Sequence, residues 1–361
     1  MKKTLIALAL VSLPVAASAE VILYGNIRGG VEYTHNKNLT AKNERGAWGV
    51  VDYSSYVGIK GSEDLGGSLK AIWQVESNAK LDASGLNGKR DTFIGLEGGF
   101  GTVKVGTVST PLKRALDAQD NWEYNSDLLG LGRYTRFGAR RTSLNYQSPD
   151  FGGFDFSFQM APGQNVHGGR NNEGKPVFGV GVGYQNSGFF GRYAVEYARK
   201  THVETGSPKA KDSHVHNLSF GYDANNLYVA AGLQYGKGVD GSFAGNDNFD
   251  IANNGGTRYV IDNTGAVVPE AYDGGAGSDK TKEAQITAAY TFGAVTPRVS
   301  VAYGKSDTLG ARYLQTVLGA DYAFSRRTTG IVSAGWIRDK ENSRAKNQDT
   351  WGIGTGLVHK F

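Results

Sequence analysis

Four carboxylates, Asp117, Asp120, Glu123 and Asp127, recur through the stretch from Ser109 to Phe137, with Trp122 and Tyr124 among them. A connection of this length inside a compact fold is usually functional. The bases that could oppose it are Arg28, Arg90 and the adjacent pair Arg140 and Arg141, and Gln74 and Glu76 add polar groups on the same side. Acids on one side of a narrow aqueous gap and bases on the other make and break no bonds. They impose a transverse field, which is only partly screened across a gap comparable to the ~8 Å Debye length of physiological salt, and such a field orients and sorts permeating ions. Spread over ordinary solvated loops the same charges would do little. The framework that holds them decides between the two readings.

Other chemistry finds little support. The chain has no cysteine, which removes disulfides, thiolate nucleophiles and Cys-based metal sites. His214 and His216 share a strand face with Leu218, Phe220 and Tyr222, so they read as outer-rim residues and not as a metal pair. Serines are plentiful, but none stands at a plausible spacing from a histidine, so a catalytic site is not expected. The segment Asn246 to Asp250 lacks the alternation and terminal Glu of a calcium loop. No cofactor and no metal are expected, and the small net charge gives no reason to expect nucleic acid.

The framework follows from a period of two. Phe154, Phe156, Phe158 and Met160 oppose Asp155, Ser157 and Gln159; Leu218, Phe220 and Tyr222 oppose Asn217, Ser219 and Gly221; Ala284, Ile286, Ala288, Tyr290 and Phe292 oppose Glu283, Gln285, Thr287 and Thr291. Each reads as a strand with one apolar and one wet face. The same parity puts Arg28, Gln74 and Glu76 on a wet face. It gives Arg140 the outward parity of Leu144 and Tyr146 and Arg141 the inward one, so Arg140 reaches the interior only if the strand is bulged there, and otherwise Arg141 takes the role. Arg192, Glu196 and Gln234 are expected to wet the interior.

Short turn-forming connections, such as Glu63 to Gly67, Ser148 to Gly153 and Asn186 to Gly188, alternate with long ones near 34–47, 79–89, 109–137, 163–175, 201–212, 238–281, 306–313 and 340–347. Eight long and seven short connections join sixteen strands. Aromatic residues gather beside the short turns, as at an interfacial belt. Mean hydropathy is −0.38 and there is no apolar run of helical spanning length after the leader, which excludes a helical membrane protein but not a barrel, where wet and lipid-facing residues alternate. Residues 1–19 read as a secretory signal, with Lys2 and Lys3, an apolar run and the small-residue site Ala17 to Ala19; without the two lysines the formal charge falls from +5 to +3. Residues 20–361 then form one all-β domain, a 16-stranded antiparallel transmembrane β-barrel.

Several segments together resemble the general trimeric porins of Gram-negative outer membranes, the neisserial type above all: Leu23 to Arg28, Val57 to Gly66, Leu69 to Glu76, Phe93 to Gly101, Gly293 to Ser300, Val332 to Trp336 and the terminal His359 to Phe361. The resemblance implies a homotrimer in the outer membrane, in contact with outer-membrane lipid and lipopolysaccharide, long extracellular loops, short periplasmic turns and an inward-folded third loop. It implies that Ser109 to Phe137 is that loop, with Asp117, Glu123 and Asp127 as an acidic rim and Arg28, Arg90 and Arg140 on the opposing wall. It further implies that Phe361 is the assembly signal read by the barrel-assembly machinery. The stretch 238–281 is longer than the resemblance leads one to expect. The function expected is a passive, water-filled channel for small hydrophilic solutes and ions, weakly selective through a charged eyelet. A substrate-specific channel would want aromatics along the lumen, and an adhesin or translocator barrel would not explain acids facing arginines.

Overall fold

The computed structural model describes residues 20–36, 46–81, 85–86, 90–122, 128–162, 176–203, 210–239, 243, 257–261, 267–271, 279–307, 309–340 and 342–361. The proposed secretory segment, Glu123, Asp127 and most of the stretch 238–281 lie outside the described residues.

Antiparallel neighbours pair in chain order around a closed sheet. Its strands are β1 (Glu20–Asn36), β2 (Gly46–Asp52 continuing as Tyr56–Gly66), β3 (Leu69–Lys80), β4 (Gly85–Leu86 continuing as Thr92–Gly98), β5 (Gly101–Ser109), β6 (Arg140–Gln147), β7 (Phe154–Ala161) and β8 (Val177–Asn186). The second half comprises β9 (Phe189–Val203), β10 (Ala210–Ala224), β11 (Leu227–Val239), β12 (Asp279–Tyr290), β13 (Val295–Ser306), β14 (Arg312–Ala323), β15 (Thr328–Lys340) and β16 (Gln348–Lys360). The sheet has eighteen ladder segments, but β2 and β4 are each one strand broken in the middle, so the barrel has sixteen. Closure comes from β1 against β16, in register from Asn26 opposite Lys360 to Asn36 opposite Thr350. Phe361 continues this seam, exchanging backbone hydrogen bonds of 3.2 Å in both directions with Gly25. A side chain at Gly25 would collide with the Phe361 ring.

Burial runs opposite to that of a water-soluble protein. Phe154, Phe156, Phe158, Leu218, Phe220, Ile286, Leu318 and Leu357 are exposed, while Ser157, Gln159, Asn217, Ser219, Gln285, Thr287, Ser300 and Gln315 are buried. The apolar residues face outward and the polar ones inward, the only arrangement by which a strand can be solvated by hydrocarbon on one side. Rings pair at the short-turn end, Phe189 with Tyr222, Tyr290 with Phe292 and Tyr322 with Phe324. The turns are tight: Asn225 and Asn226 both have positive φ, 55° and 63°, as a two-residue primed turn requires.

The apolar core is neither central nor between sheets. Its largest share comes from Leu112, Leu116, Leu129, Leu131, Tyr134 and Phe137, all at most 1% exposed, on the connection between β5 and β6 that lies inside the barrel, packed with wall residues such as Val215, Tyr313, Val317 and Ile331.

Leu318 sits midway along β14 on the outward face, 54% exposed. Leu318→Arg is expected to lower folding stability in vesicles by about 2–4 kcal/mol, the cost of a cation at the bilayer midplane. Denaturant titration of folding into phosphatidylcholine vesicles would check this.

Candidate functional site

The inner loop starts at Thr110, whose hydroxyl caps helix α1 (Pro111–Asp117) by accepting from the Lys113 amide at 3.1 Å, with Pro111 at the first helical position. It turns back through the short helix α2 (Gly132–Thr135) and re-enters the wall at Arg140. Along its path it is fastened to half of the barrel. Gln119 donates to Asn217 on β10 at 2.8 Å, and the Tyr228 hydroxyl of β11 donates to Ala118 O at 2.8 Å. Trp122 Nε1 donates to Ser300 Oγ of β13 at 2.7 Å, Gln315 of β14 donates to Gly130 O at 2.7 Å, and Arg133 pairs with Asp339 of β15 at 2.8 Å. Deepest of all, Arg136 makes a two-pronged pair with Glu283 of β12 at 2.5 and 2.7 Å; Glu283 also accepts from Tyr313 at 2.9 Å and from Gln234 at 3.1 Å.

Inward glycines make room for this path. An added Cβ at Gly335 would sit 2.0 Å from the Leu128 carbonyl oxygen, and one at Gly354 would sit 2.6 Å from the Leu129 side chain. The loop therefore presses on β8 through β16. Arg114 of α1 also donates to Gln147 of β6 at 2.6 Å, so the wall from β1 through β5 is the side that the described part of the loop leaves largely uncovered.

On that wall the expected residues come together. The break in β2 at 53–55 turns Ser54 to φ 70°, and Ser54 O accepts from Arg28 Nη2 at 3.2 Å. The Tyr56 ring lies beneath two guanidinium groups, Arg28 at 5.8 Å and Arg90 at 4.2 Å from its centroid. Arg90 Nε also donates to Glu76, which accepts from the Tyr24 hydroxyl at 2.9 Å. Arg140 donates to Asp91 at 2.6 Å, Ser109 Oγ donates to the same carboxylate at 2.9 Å, and Gln74 donates to Asp91 O at 3.3 Å. Arg28, Gln74, Glu76, Arg90 and Arg140 thus form one network around Tyr56 and Asp91, which Arg140 joins from the first residue of β6 without the expected bulge, its register against Ser109 being unbroken.

Arg141 is placed elsewhere. It is buried in a 3.0 Å pair with Glu196 of β9, their side chains 8% and 1% exposed, so it presents no cation to the passage. The expectation that Glu196 and Gln234 wet the lumen is corrected by the same contacts: both are buried against the loop or its anchors. Arg192 instead approaches Asp155 at 3.6 Å. His214 and His216 lie on the outward face and engage each other at 2.9 Å and Tyr193 at 2.6 Å.

Of the loop acids, Asp117 is exposed and bound to Lys113 at 2.8 Å, which partly neutralises it. Asp120 is half-buried and accepts from the Trp122 amide at 3.0 Å. Burial pushes its carboxyl up to about 7, against the opposing pull of that amide. Three groups escaped the reading of the chain. Lys60 reaches over the Tyr24 ring at 5.3 Å and Lys104 over the Phe93 ring at 4.5 Å, and neither has a carboxylate within ion-pair distance among the described residues. Asp91 is the third. Parity beside Ile59, and between Val103 and Val105, was the available signal for the two lysines.

Replacing Arg136 by Met should cost about 3–5 kcal/mol, because Glu283 is left buried without its counter-charge; Arg136→Met with Glu283→Met should recover most of it. Urea midpoints and single-channel noise would report the loosened loop. For Asp120, a carboxyl raised above its unfolded value favours the folded state at low pH, and this contribution is lost as pH rises through about 7. The loop gains a negative charge over the same interval. Raising the pH from 6 to 8 should therefore move the zero-current potential toward cations, and Asp120→Asn should remove that movement.

Comparison with known proteins agrees with the barrel. Residues 31–361 match the family described as Gram-negative porin. The major outer membrane protein P.IB of Neisseria sicca is 38% identical over 394 aligned residues, covering all of both chains. Among solved structures, the anion-selective porin from Comamonas acidovorans superimposes with a TM-score of 0.70 at 20% identity, covering 95% of this chain and 100% of that one. OmpT of Vibrio cholerae, in a trimer form, gives 0.62 at 12% identity, covering 95% and 99%. With a full-length relative at this identity, a family match over nearly the whole chain and a closed sixteen-stranded barrel whose burial is inverted for hydrocarbon, this chain belongs to the Gram-negative porin family of outer-membrane proteins.

Proposed function

We propose that this porin is weakly anion-selective and works as a homotrimer, with the passage between the inner loop and β1 through β5 as its eyelet. The coarser function follows from family membership: it is a passive diffusion channel of the outer membrane. The observation behind the sign of selectivity is the imbalance on the open wall. Arg90 and Arg140 have Glu76 and Asp91 as partners, but Lys60 and Lys104 have no carboxylate partner among the described residues. Opposite them, Asp117 is tied to Lys113 and Asp120 is only partly ionised near neutrality. A positive excess in a low-dielectric throat concentrates anions. Anion selectivity in the Comamonas acidovorans porin and the trimer form of OmpT are properties of those proteins that support the same reading here.

Glu123 and Asp127 are assigned to the acidic rim and Phe361 to assembly on the resemblance alone. The wall network itself suits sorting and not reaction, since every group in it is held by a partner or stacked on a ring.

Single insertions in a planar bilayer under a potassium chloride gradient would test the proposal. Conductance in three equal steps with a zero-current potential on the anion side is expected. Lys60→Gln with Lys104→Gln should bring that potential toward zero, and Arg28→Ala with Arg90→Ala and Arg140→Ala should carry it to the cation side. An unchanged potential in both variants would refute the eyelet assignment.

A further inference from the structure

The Arg136 and Glu283 pair that fastens the inner loop has a cover that comes from a third part of the chain. The register of β11 against β12 shifts between Lys237 and Val239, where Gly238 takes φ 68° and its carbonyl accepts from Ser213 Oγ at 2.7 Å. Here the chain leaves the wall for the long connection between β11 and β12, and Val239 is already fully buried. Four residues on, Phe243 is 2% exposed. Its ring meets the Tyr313 ring edge-on with centroids 5.1 Å apart, and the Arg136 guanidinium lies over it at 4.9 Å while also lying over Phe137 at 4.1 Å. Tyr313 in turn donates to Glu283 at 2.9 Å. A ring from the inner loop and a ring from the long connection thus meet on one cation.

Phe243 has φ 53°, in the left-handed region that a bulky side chain seldom adopts and keeps where its surroundings hold it. Two effects follow from its placement. The face of the ring attracts the guanidinium. Its bulk also keeps water from Arg136 and Glu283, whose side chains are 3% and 0% exposed, so their attraction is less screened. We infer that Phe243 is a positioning residue of the eyelet, acting through Arg136 to hold the inner loop against β12 and making the long connection part of the throat's support. This rests on the reading of the inner loop as one side of the eyelet. It also gives the stretch 238–281 a use for its length, since a tight turn from Val239 to its register partner Asp279 would have no residue to spare for the interior.

The test records single channels of the full barrel in planar bilayers for the wild type, Arg136→Met, Phe243→Ala, Phe243→Leu and Phe243→Tyr, with Phe243→Ala also placed in a background of Arg136→Met and Glu283→Met. Phe243→Ala should raise open-channel current noise at least threefold and lower the voltage at which channels close, with heat-dependent gel mobility showing that the barrel folds. Phe243→Tyr, which keeps the ring face, should be as quiet as the wild type. Phe243→Leu, which keeps apolar bulk without a face, should recover less than half of the difference. In the paired Met background Phe243→Ala should add no noise. The contrast between Leu and Tyr decides the matter if Phe243→Ala does not fold. Quiet Phe243→Ala channels beside noisy Arg136→Met channels would overturn the inference and leave the eyelet standing. So would a Leu variant as quiet as the Tyr variant, or a Phe243→Ala effect that persists in the Met background. Wild-type noise in both Arg136→Met and Phe243→Ala would mean that the inner loop does not bound the passage, and the eyelet reading would fall together with the inference.

Discussion

Hydrocarbon cannot hydrogen-bond, and the rest of this structure depends on that. Every strand N–H and C=O within the bilayer must find a partner in the protein, so the sheet has to close, and it closes where β1 meets β16. Closure creates an interior that lipid cannot reach. The alternation of strand side chains then sends apolar residues out and polar residues in, and the interior wall becomes a continuous surface of donors and acceptors awaiting satisfaction. Water could provide it everywhere. In this chain a loop provides it over half the circumference.

That loop is a small soluble fold attached to the inside of a membrane protein. Its apolar residues gather into a core, while its polar residues and backbone carbonyls meet Asn217, Glu283, Ser300, Gln315 and Asp339 on the wall. The Arg136 and Glu283 pair is buried and well bonded, the geometry in which removing either member costs most. Glycines on β15 and β16 allow the loop tip to come within contact of the backbone. The loop is consequently fastened along one side of the barrel, and the opposite wall carries side chains that pair or stack among themselves.

The two basic clusters separate by this same logic of faces. Arg28, Lys60, Arg90 and Lys104 are cations of the water-filled interior, arranged against acids and aromatic rings. Lys305, Arg312 and Lys340 have the outward parity of their strands, opposite one another in register. Net charge reports neither cluster, since it sums both faces and the loops as well.

The strand count and the facing of the strands with clean alternation were legible in the sequence, because period-two alternation and turn chemistry are local properties of the chain. Phe154 to Met160 and Leu218 to Tyr222 read correctly for that reason. Parity, however, yields one bit per residue, inside or outside. It could not say that Glu196 and Gln234 lie under a loop instead of in water, that Arg141 is spent on Glu196, or that Asp91 sits between Ser109 and Arg140, since each of these depends on where a segment distant in sequence crosses the interior. Nor could it place Lys305 beside both Lys282 and Arg312, which requires the register of three strands at once. The sequence by itself determined a barrel with a charged inner loop; only the tertiary structure decided which of those charges remain available to an ion, because availability is set by long-range pairing and not by the side a residue faces.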